Sequence, residues 1–371
     1  MNSNVVNYLS QYEFFDYVTG AFGNNPLLIS TIVFTVIALM IVLVAATIGG
    51  FGTYAERKIS ADIQMRIGPN RVGPYGLLQV LADGVKMMLK EDIMPKTADK
   101  MLFYLAPLLA LVGVFATLAV LPFSSGLMMT DLNVGVFYLV AISSLVGVGV
   151  FLGGYSSNSK WSMLGGMRGA SQIISYEIPV TISILAITLL AGGMSFGVIV
   201  GNQAGLPHNW YIFHNPFSFI AFFVFFVGAL AETNRAPFDL PEAESELVSG
   251  YHTEYTGMRF GFFALAEYVE VFVVCGVAAA LFLGGYNVPS PIEFDIFPMQ
   301  FVQVAIFMSK ALALYYVVIW IRWTFPRLRV DQLMSVCWKY LTPIAIFNLV
   351  GCAIWMTVFK GQSMAQLILG H

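Results

Sequence analysis

Eight long apolar stretches recur along the chain, and they limit its fold more than any other feature. A helix that crosses a bilayer needs about 20 mostly apolar residues. None of the stretches alternates as a barrel strand does, so each is expected to be a helix that satisfies its own backbone. A buried core helix is the alternative for any one of them, but eight in succession favour a membrane. The stretches cover residues 27–52, 101–121, 133–154, 173–196, 217–233, 260–284, 298–321 and 338–359.

The scarcity of charge supports the same interpretation. Only 11% of the 371 residues are charged and 58% are hydrophobic, whereas an ordinary soluble domain carries roughly 25% charged residues. So few charges cannot cover the surface of a water-soluble particle of this size. Lipid is therefore expected to solvate much of the chain.

The basic residues predict how the spans are oriented. Lysines and arginines concentrate on every second connection, while the opposite connections, near 122–132, 197–216 and 285–297, carry none. The positive-inside rule places the basic connections on the cytoplasmic side, or the matrix side in an organelle. We call them the first to fourth inner connections: 53–100, 155–172, 234–259 and 322–339.

The expected fold is an all-α integral membrane protein with eight transmembrane helices, amphipathic cytoplasmic helices and both termini on the outer side. It divides into an N-terminal outer segment (1–26), an eight-helix membrane domain (27–360) and a C-terminal tail (361–371). The first 26 residues lack Lys and Arg, unlike the basic start of a cleavable signal peptide. The first apolar stretch is therefore expected to remain as a membrane helix.

The first inner connection contains an amphipathic pattern. Apolar residues recur at helical spacing opposite three charged ones, and an ordered Gly-Pro-rich turn (67–76) precedes them. Such a helix either lies along the membrane interface or packs on the inner ends of the spans. The apolar residues are Leu77, Leu78, Leu81, Val85, Met88 and Leu89, and the charged ones are Asp83, Lys86 and Lys90.

Carboxylates are concentrated around the second and third inner connections. Glu177 lies inside an apolar span, where a charge is costly and commonly functional, and Pro179 follows it. Asp239 and Pro241 suggest a helix start that would place Glu242 and Glu246 on one face. The series is either a solvated acidic loop or, because part of it lies in apolar spans, a proton relay. Its members are Glu232, Glu242, Glu244, Glu246, Glu254, Glu267 and Glu270.

The remaining polar residues are less specific. Arg322, Arg327 and Arg329 lie among aromatic residues in the fourth inner connection, where they could anchor helices, bind acidic partners or compensate the glutamates. Lys310 lies in mid-span and requires a carboxylate or water. The three cysteines and four histidines show no spacing typical of a zinc site or an iron–sulfur cluster.

Four segments resemble one family. The run ERKISADIQMRIGPNRVGPYGLLQVLADGVKMMLKED (56–92) and the run AETNRAPFDLPEAESELVSGY (231–251) are similar to the signature segments of the H subunit of respiratory complex I. GGMRGASQIISYEIP (165–179) and WIRWTFPRLRVDQLM (320–334) match the same family, which includes the mitochondrially encoded subunit 1. The resemblance runs from about Leu27 to Phe359.

The resemblance implies a membrane subunit of a proton-pumping NADH:quinone oxidoreductase. It places a quinone chamber at Arg57, Arg66, Asp83, Glu232, Arg235, Phe238 and Asp239. It places a proton or coupling path at Glu177, Glu232, Glu242, Glu244, Glu246, Glu254 and Glu267, with Arg322, Arg327 and Arg329 at a cytoplasmic basic edge. This chain would bind no cofactor itself, quinone would be the substrate, and FMN and iron–sulfur clusters would lie on partner subunits.

The implied partners are the hydrophilic quinone-module subunits, small membrane subunits, quinone and the lipid bilayer, with no nucleic acid. The implied location is a bacterial inner membrane, with an organellar inner membrane as the alternative. Two other functions remain open: the equivalent subunit of a ferredoxin-fed complex or membrane-bound hydrogenase, and a stand-alone ion transporter. A transporter would be expected to show related halves, and the sequence contains no internal repeat.

Overall fold

The computed structural model describes residues 26–288, 299–359, 362–364 and 366. All regular structure in those ranges is helical, which confirms the expected all-α class there. The expected outer segment and most of the tail lie outside the described residues. By backbone contacts the chain divides into two units, Met1–Thr47 and Ile48–His371. The site described below lies entirely in the second unit.

Thirteen α-helices, numbered in chain order, occur in the described ranges. Short 3₁₀ turns at Pro74–Gly76, Pro207–Asn209 and Gly250–His252 and a π-helical turn at Val336–Leu341 accompany them. The helices are α1 (Pro26–Ile63), α2 (Gln79–Leu89), α3 (Lys100–Leu118), α4 (Gly135–Ser156), α5 (Lys160–Ala191), α6 (Phe196–Gly201), α7 (Tyr211–His214), α8 (Pro216–Glu232), α9 (Glu244–Leu247), α10 (Gly257–Phe282), α11 (Met299–Thr324), α12 (Val330–Ser335) and α13 (Thr342–Val358).

Seven segments of the described chain are helical, long and apolar enough to cross a membrane. These are Ala38–Ile63, Lys100–Leu118, Gly135–Ser156, Lys160–Ala191, Gly257–Phe282, Met299–Thr324 and Val330–Val358. The fifth expected span corresponds to α8, which is apolar but has only 17 residues. Asn215 begins α8 with a reciprocal hydrogen-bonded cap to Ser218, and Glu232 ends it.

Helix α1 is longer than the apolar pattern predicts. The first span was expected to end near residue 52, yet the helix continues to Ile63. The extra turns carry Glu56, Arg57 and Lys58, which are good helix formers. Hydropathy detects where lipid contact ends, not where the helix ends, so this boundary could not be read from the apolar residues.

Two glycines allow the third inner connection to pack against α5. Gly250 has a φ of +61°, and a Cβ there would overlap the carbonyl oxygen of Pro241. A Cβ on Gly165 of α5 would lie 2.7 Å from the backbone nitrogen of Tyr251. Only glycine accepts the left-handed conformation at position 250 and the close backbone approach at position 165. The connection is therefore held directly on the helix surface.

The prediction of a helix that starts at Asp239 is wrong in its extent. Only Glu244–Leu247 is helical, while residues 239–243 form turns and irregular structure. Glu242 is partly buried beside His252, whereas Glu246 reaches an exposed ion pair with Arg168. Because these two side chains contact different partners, one partly buried and one exposed, they do not lie on one helix face as the local pattern predicts.

Helix α5 continues through Pro179, and a neighbouring segment satisfies the backbone group that the proline frees. The Sγ of Cys337, in the π-helical turn, donates to the carbonyl oxygen of Ser175 over 3.0 Å. The Tyr176 hydroxyl donates to the carbonyl oxygen of Leu333 over 2.9 Å. The irregular backbone of the fourth inner connection is thereby joined to α5.

Candidate functional site

A buried carboxylate with two arginine partners lies at the centre of the site. Glu56 of α1 is 7% exposed. The Arg235 Nη1 lies 3.4 Å from its Oε2, and Arg322 of α11 makes a close ion pair with its Oε1. The Arg235 guanidinium also stacks over the Tyr268 ring, 4.2 Å from its centroid. We call Glu56, Arg235 and Arg322 the ion-pair group.

The ion-pair group leaves donors of Arg235 unused. Its Nε and Nη2 are buried and have no hydrogen-bond partner among the described residues. Burial alone would lower the pKa of Arg235, but the adjacent Glu56 carboxylate outweighs burial and raises it. Arg235 is therefore permanently charged, with donors that a polar ligand group or water can occupy.

The loop that follows Arg235 is fixed by a buried amide. The Gln172 Nε2 of α5 donates to the carbonyl oxygens of Ala231 and Phe238 over 2.8 and 2.7 Å. The Phe238 ring, 5% exposed, packs 5.6 Å from the Tyr176 ring. The loop carrying Arg235, Phe238 and Asp239 therefore has little freedom to move relative to α5.

Asp239 is the second paired carboxylate of this loop. Its Oδ2 accepts from the Arg327 Nη2 over 2.9 Å, while its buried Oδ1 has no partner among the described residues. Burial raises the pKa of Asp239, and the Arg327 guanidinium opposes that rise. Arg322 and Arg327 thus compensate carboxylates, one of the roles expected for them, whereas Arg329 makes only an exposed pair with Asp331.

A groove that includes Arg57, the residue after Glu56 on α1, is lined by three arginines. Arg57, Arg66 and Arg71 line it together with the Gly-Pro turn and Gln79. The Arg57 Nη1 lies 2.5 Å from Asp83 Oδ2, and Lys86 and Gln79 donate to Asp83 Oδ1. Partial burial would raise the pKa of Asp83, but the hydrogen bonds from Arg57 and Lys86 outweigh it and hold the pKa below its usual range.

Helix α2 has a packed side and an exposed apolar side. Val80 lies at Gly50 of α1, and Met87 lies near Gly257 and Gly261 of α10. The apolar side chains that predicted the amphipathic helix remain exposed, with Leu81 at 66% and Leu89 at 82%. The helix thus contacts the spans and still presents an apolar surface.

A cavity between the spans is lined by three carboxylates. Glu177, Glu232 and Glu270 face it among mostly apolar side chains, close enough to repel one another. None of the three has a hydrogen bond or ion pair to another described residue. The space in which the centre of a water molecule fits has a volume of about 40 Å³, and one water needs roughly 10–15 Å³ of such space. We call it the carboxylate cavity.

A second acidic group adjoins the cavity. Glu267 lies one turn before Glu270 on α10 and interacts with Glu242 of the third inner connection. The Tyr251 hydroxyl donates to the Glu267 Oε1 over 2.6 Å. The His252 Nδ1 lies 3.8 Å from the Glu242 Oε1. Burial raises the pKa of Glu242 well above its usual range, and the Glu267 carboxylate adds to the rise.

The other expected path residues lie apart from these groups. Glu246 is 52% exposed and forms an ion pair with Arg168 over 2.7 Å. Glu254 is half-buried, without a hydrogen bond or ion pair to another described residue. The side chain of Glu244 lies outside the described residues. The structure therefore brings together Glu177, Glu232, Glu242 and Glu267 of the expected path, and Glu270 of the acidic series lies with them.

Lys310 contacts backbone carbonyl groups and no carboxylate among the described residues. Its Nζ donates to the carbonyl oxygens of Leu283 and Gly285, just after the end of α10, over 2.7 and 2.9 Å. It also lies 4.5 Å from the centroid of the Trp210 ring. A cation at a helix C-terminus satisfies its free carbonyls. Lys310 therefore caps α10.

Sequence reasoning missed two residues of the site, Glu56 and Tyr251. Glu56 is a lone acid at the start of a basic connection, one turn after the last apolar residues of its span, and that position is a signal for a buried ion pair. Glu270 belongs to the acidic series read from the sequence, because it lies in an apolar span, but the resemblance did not place it on the coupling path. Nothing in the sequence indicates that Tyr251 would face Glu267. Among the described residues, no group of His, Cys, Asp and Glu side chains is placed to hold a metal ion.

Comparison with known proteins identifies the family of this chain. The family model described as NADH dehydrogenase matches residues 35–353. The H subunit of the NADH-quinone oxidoreductase from Bacillus cytotoxicus is 48% identical over 330 residues, covering 88% of this chain and 95% of that protein. The H subunit from Chlorobaculum parvum is 47% identical, covering 86% of this chain and 91% of that protein.

The H subunit from Anaeromyxobacter dehalogenans is 45% identical over 349 residues, covering 90% of this chain and 84% of that protein. Matches of this length include the spans, all four inner connections and the buried acidic groups. The chain belongs to the family of NADH-quinone oxidoreductase H subunits.

Proposed function

We propose that this chain forms the membrane wall of the quinone chamber of a proton-pumping NADH:quinone oxidoreductase and begins its acidic coupling path. The observation that carries the proposal is the position of the ion-pair group. Glu56 of this group directly precedes Arg57, which lines the groove, and Arg235 of the group interacts with the charge of Glu267. Polar groups thus connect an open surface to protonatable groups between the spans.

The groove and α2 supply what a quinone needs. An isoprenoid tail requires an apolar surface, and the exposed apolar side of α2 provides one. The headgroup requires polar contacts, which Arg57, Arg66 and the free donors of Arg235 can provide. In this proposal α2 lies along the membrane interface, and the chamber closes when the hydrophilic partner subunits dock.

The coupling step follows from charge. Reduction of quinone to quinol takes two electrons, from iron–sulfur clusters on partner subunits, and two protons. Protons withdrawn near Asp239 and Glu242 change the charge beside Glu267. Because Glu267 and Glu270 lie one turn apart on α10, the change would reach the carboxylate cavity and act on Glu177 and Glu232. Proton transfer elsewhere in the complex would follow from that shift.

The proposal includes topology and location. Helix α8 serves as the fifth of eight spans, although it is short, because its 17 residues are apolar and it carries Glu232 at the inner end. Both termini then lie on the outer side and the basic connections lie in the cytoplasm. The bacterial relatives favour a bacterial inner membrane. FMN and the iron–sulfur clusters lie on hydrophilic partner subunits, and small membrane subunits flank this chain.

Asp83→Asn tests the chamber wall. We expect quinone reduction to fall about five-fold, because losing a partly exposed ion pair corresponds to about 1 kcal/mol, while complex assembly is unchanged. Because the pKa of Asp83 is lowered below its usual range, its carboxylate stays ionised and the wild-type pair stays intact throughout the neutral pH range. The loss should therefore be independent of pH near neutrality, measured as NADH-driven quinone reduction in membrane vesicles.

Asp62→Asn is the matched control, since Asp62 is exposed on the same helix as Arg57 and makes no ion pair with another described residue. It should leave the rate unchanged. A wild-type rate in Asp83→Asn would remove Asp83 from the chamber wall, and loss of assembly would assign it a structural role instead.

A further inference from the structure

Tyr251 holds its hydroxyl in a fixed position against Glu267. The side chain is 1% exposed. Its ring packs edge-on against Phe263 and His252, with centroids 5.2 and 4.9 Å apart, and its carbonyl oxygen accepts from Ser162 over 2.8 Å. The 2.6 Å hydrogen bond to Glu267 is therefore made by a donor that cannot easily turn away.

The Tyr251 hydroxyl remains a donor at every physiological pH. Burial raises its pKa well above its usual range, and the adjacent carboxylates of Glu267 and Glu242 add to the rise. A neutral donor of this kind favours the ionised form of the carboxylate that it contacts. The hydroxyl contacts Glu267 but makes no hydrogen bond to Glu242, so the two carboxyls differ in their surroundings.

We propose that Tyr251 is a positioning residue that makes Glu267 the proton acceptor and Glu242 the proton donor of one shared site. The inference rests on the proposed function. In the transfer, the O–H bond of Glu242 breaks, an O–H bond forms on the free oxygen of Glu267, and Tyr251 keeps its own proton. The carboxylate left on Glu242 then faces His252 at 3.8 Å.

Several other groups influence the shared site. Arg235 and His252 favour negative charge on it, while Asp239 and Glu270 oppose a second negative charge. A single proton shared by the two carboxyls leaves one negative charge, which Arg235 and His252 favour. It avoids a second negative charge, because two adjacent ionised carboxylates in a buried site repel strongly. The site then holds one proton that passes between the two carboxyls, and Tyr251 sets the direction.

Tyr255 offers a matched control in the same connection. Its ring packs edge-on against the same Phe263, 5.0 Å away, and stacks on Phe103. Its hydroxyl contacts the neutral Ser156 hydroxyl over 3.1 Å. Tyr255→Phe and Tyr251→Phe thus remove the same atom from similar packing, but only Tyr251→Phe removes a donor to a carboxylate.

The experiment compares pH profiles of NADH-driven quinone reduction in vesicles carrying the whole complex. Tyr251→Phe should move the acid limb of the activity profile to higher pH by about one unit. The ionised form of the acceptor, Glu267, loses a stabilising hydrogen bond worth about 1.4 kcal/mol. Tyr255→Phe should leave the limb in place. An unmoved limb in Tyr251→Phe, or equal movement in both variants, would overturn the inference.

Two further variants keep the result interpretable. If Tyr251→Phe does not assemble, His252→Asn removes another group that favours the ionised pair, and it should move the limb in the same direction; no movement overturns the inference. Glu267→Gln tests the proposed function separately, since it should abolish coupled activity. If Glu267→Gln is inactive but the Tyr251→Phe limb is unmoved, only the positioning role fails.

Discussion

Glu56→Gln is expected to have the largest structural effect of any single change in this chain. Glutamine keeps the size of the side chain but leaves Arg235 and Arg322 facing each other without a carboxylate. Removing one partner of a buried ion pair costs about 3–5 kcal/mol. We therefore expect much less assembled complex in the membrane and a lower Tm of the purified complex, with quinone reduction falling at least in proportion.

The control for Glu56→Gln is Asp331→Asn. Asp331 pairs with Arg329 over 3.5 Å, and both side chains are more than two-thirds exposed. Exposed pairs contribute about 0–1 kcal/mol, so this variant should assemble like the wild type. Wild-type assembly and Tm in Glu56→Gln would show that the ion-pair group does not support the fold at this position.

Glu177→Gln is expected to have the largest effect on activity with assembly intact. Glutamine fits the carboxylate cavity and remains polar, but it cannot take up or release a proton. Because Glu177, Glu232 and Glu270 share one small cavity, loss of one carboxyl interrupts the series. General acid–base groups typically contribute about 10²–10⁴-fold, and the two remaining carboxyls reduce that loss to about ten-fold or more in quinone reduction.

Ser143→Ala is the matched control for the cavity. Ser143 also lines it, but its hydroxyl already donates to the carbonyl oxygen of Val140 over 2.9 Å, so the change removes no titratable group. Its rate should stay close to the wild type. The measurement is quinone reduction per assembled complex, and a wild-type rate in Glu177→Gln would exclude Glu177 from the coupling path.

The sequence predicts the helices well because lipid imposes a simple rule. Each long apolar stretch must satisfy its own backbone groups, so hydropathy alone identifies seven helices and the short α8. Ends are predicted poorly where a helix leaves the apolar region without a breaker, as α1 does on its way to Ile63. Local signals also fail around Asp239, where the separate environments of Glu242 and Glu246 override helical spacing.

The site is only partly readable from the sequence. Charged residues within apolar spans, such as Glu177 and Glu232, indicate function because their cost must be compensated. Which carboxylates meet is a tertiary property: Glu56 is 179 residues from Arg235 and 266 from Arg322 along the chain. The role of Lys310 shows the same limit, since the carbonyl groups that it caps are visible only in the folded structure.

The central claim is that this chain builds the quinone site without holding a redox centre. The most direct test uses membrane vesicles from cells with and without the chain. It compares NADH-driven quinone reduction with NADH oxidation by an artificial acceptor that bypasses the quinone site. The claim predicts that only quinone reduction disappears while the other subunits of the complex remain. If both activities persist at full rate without the chain, the claim is contradicted.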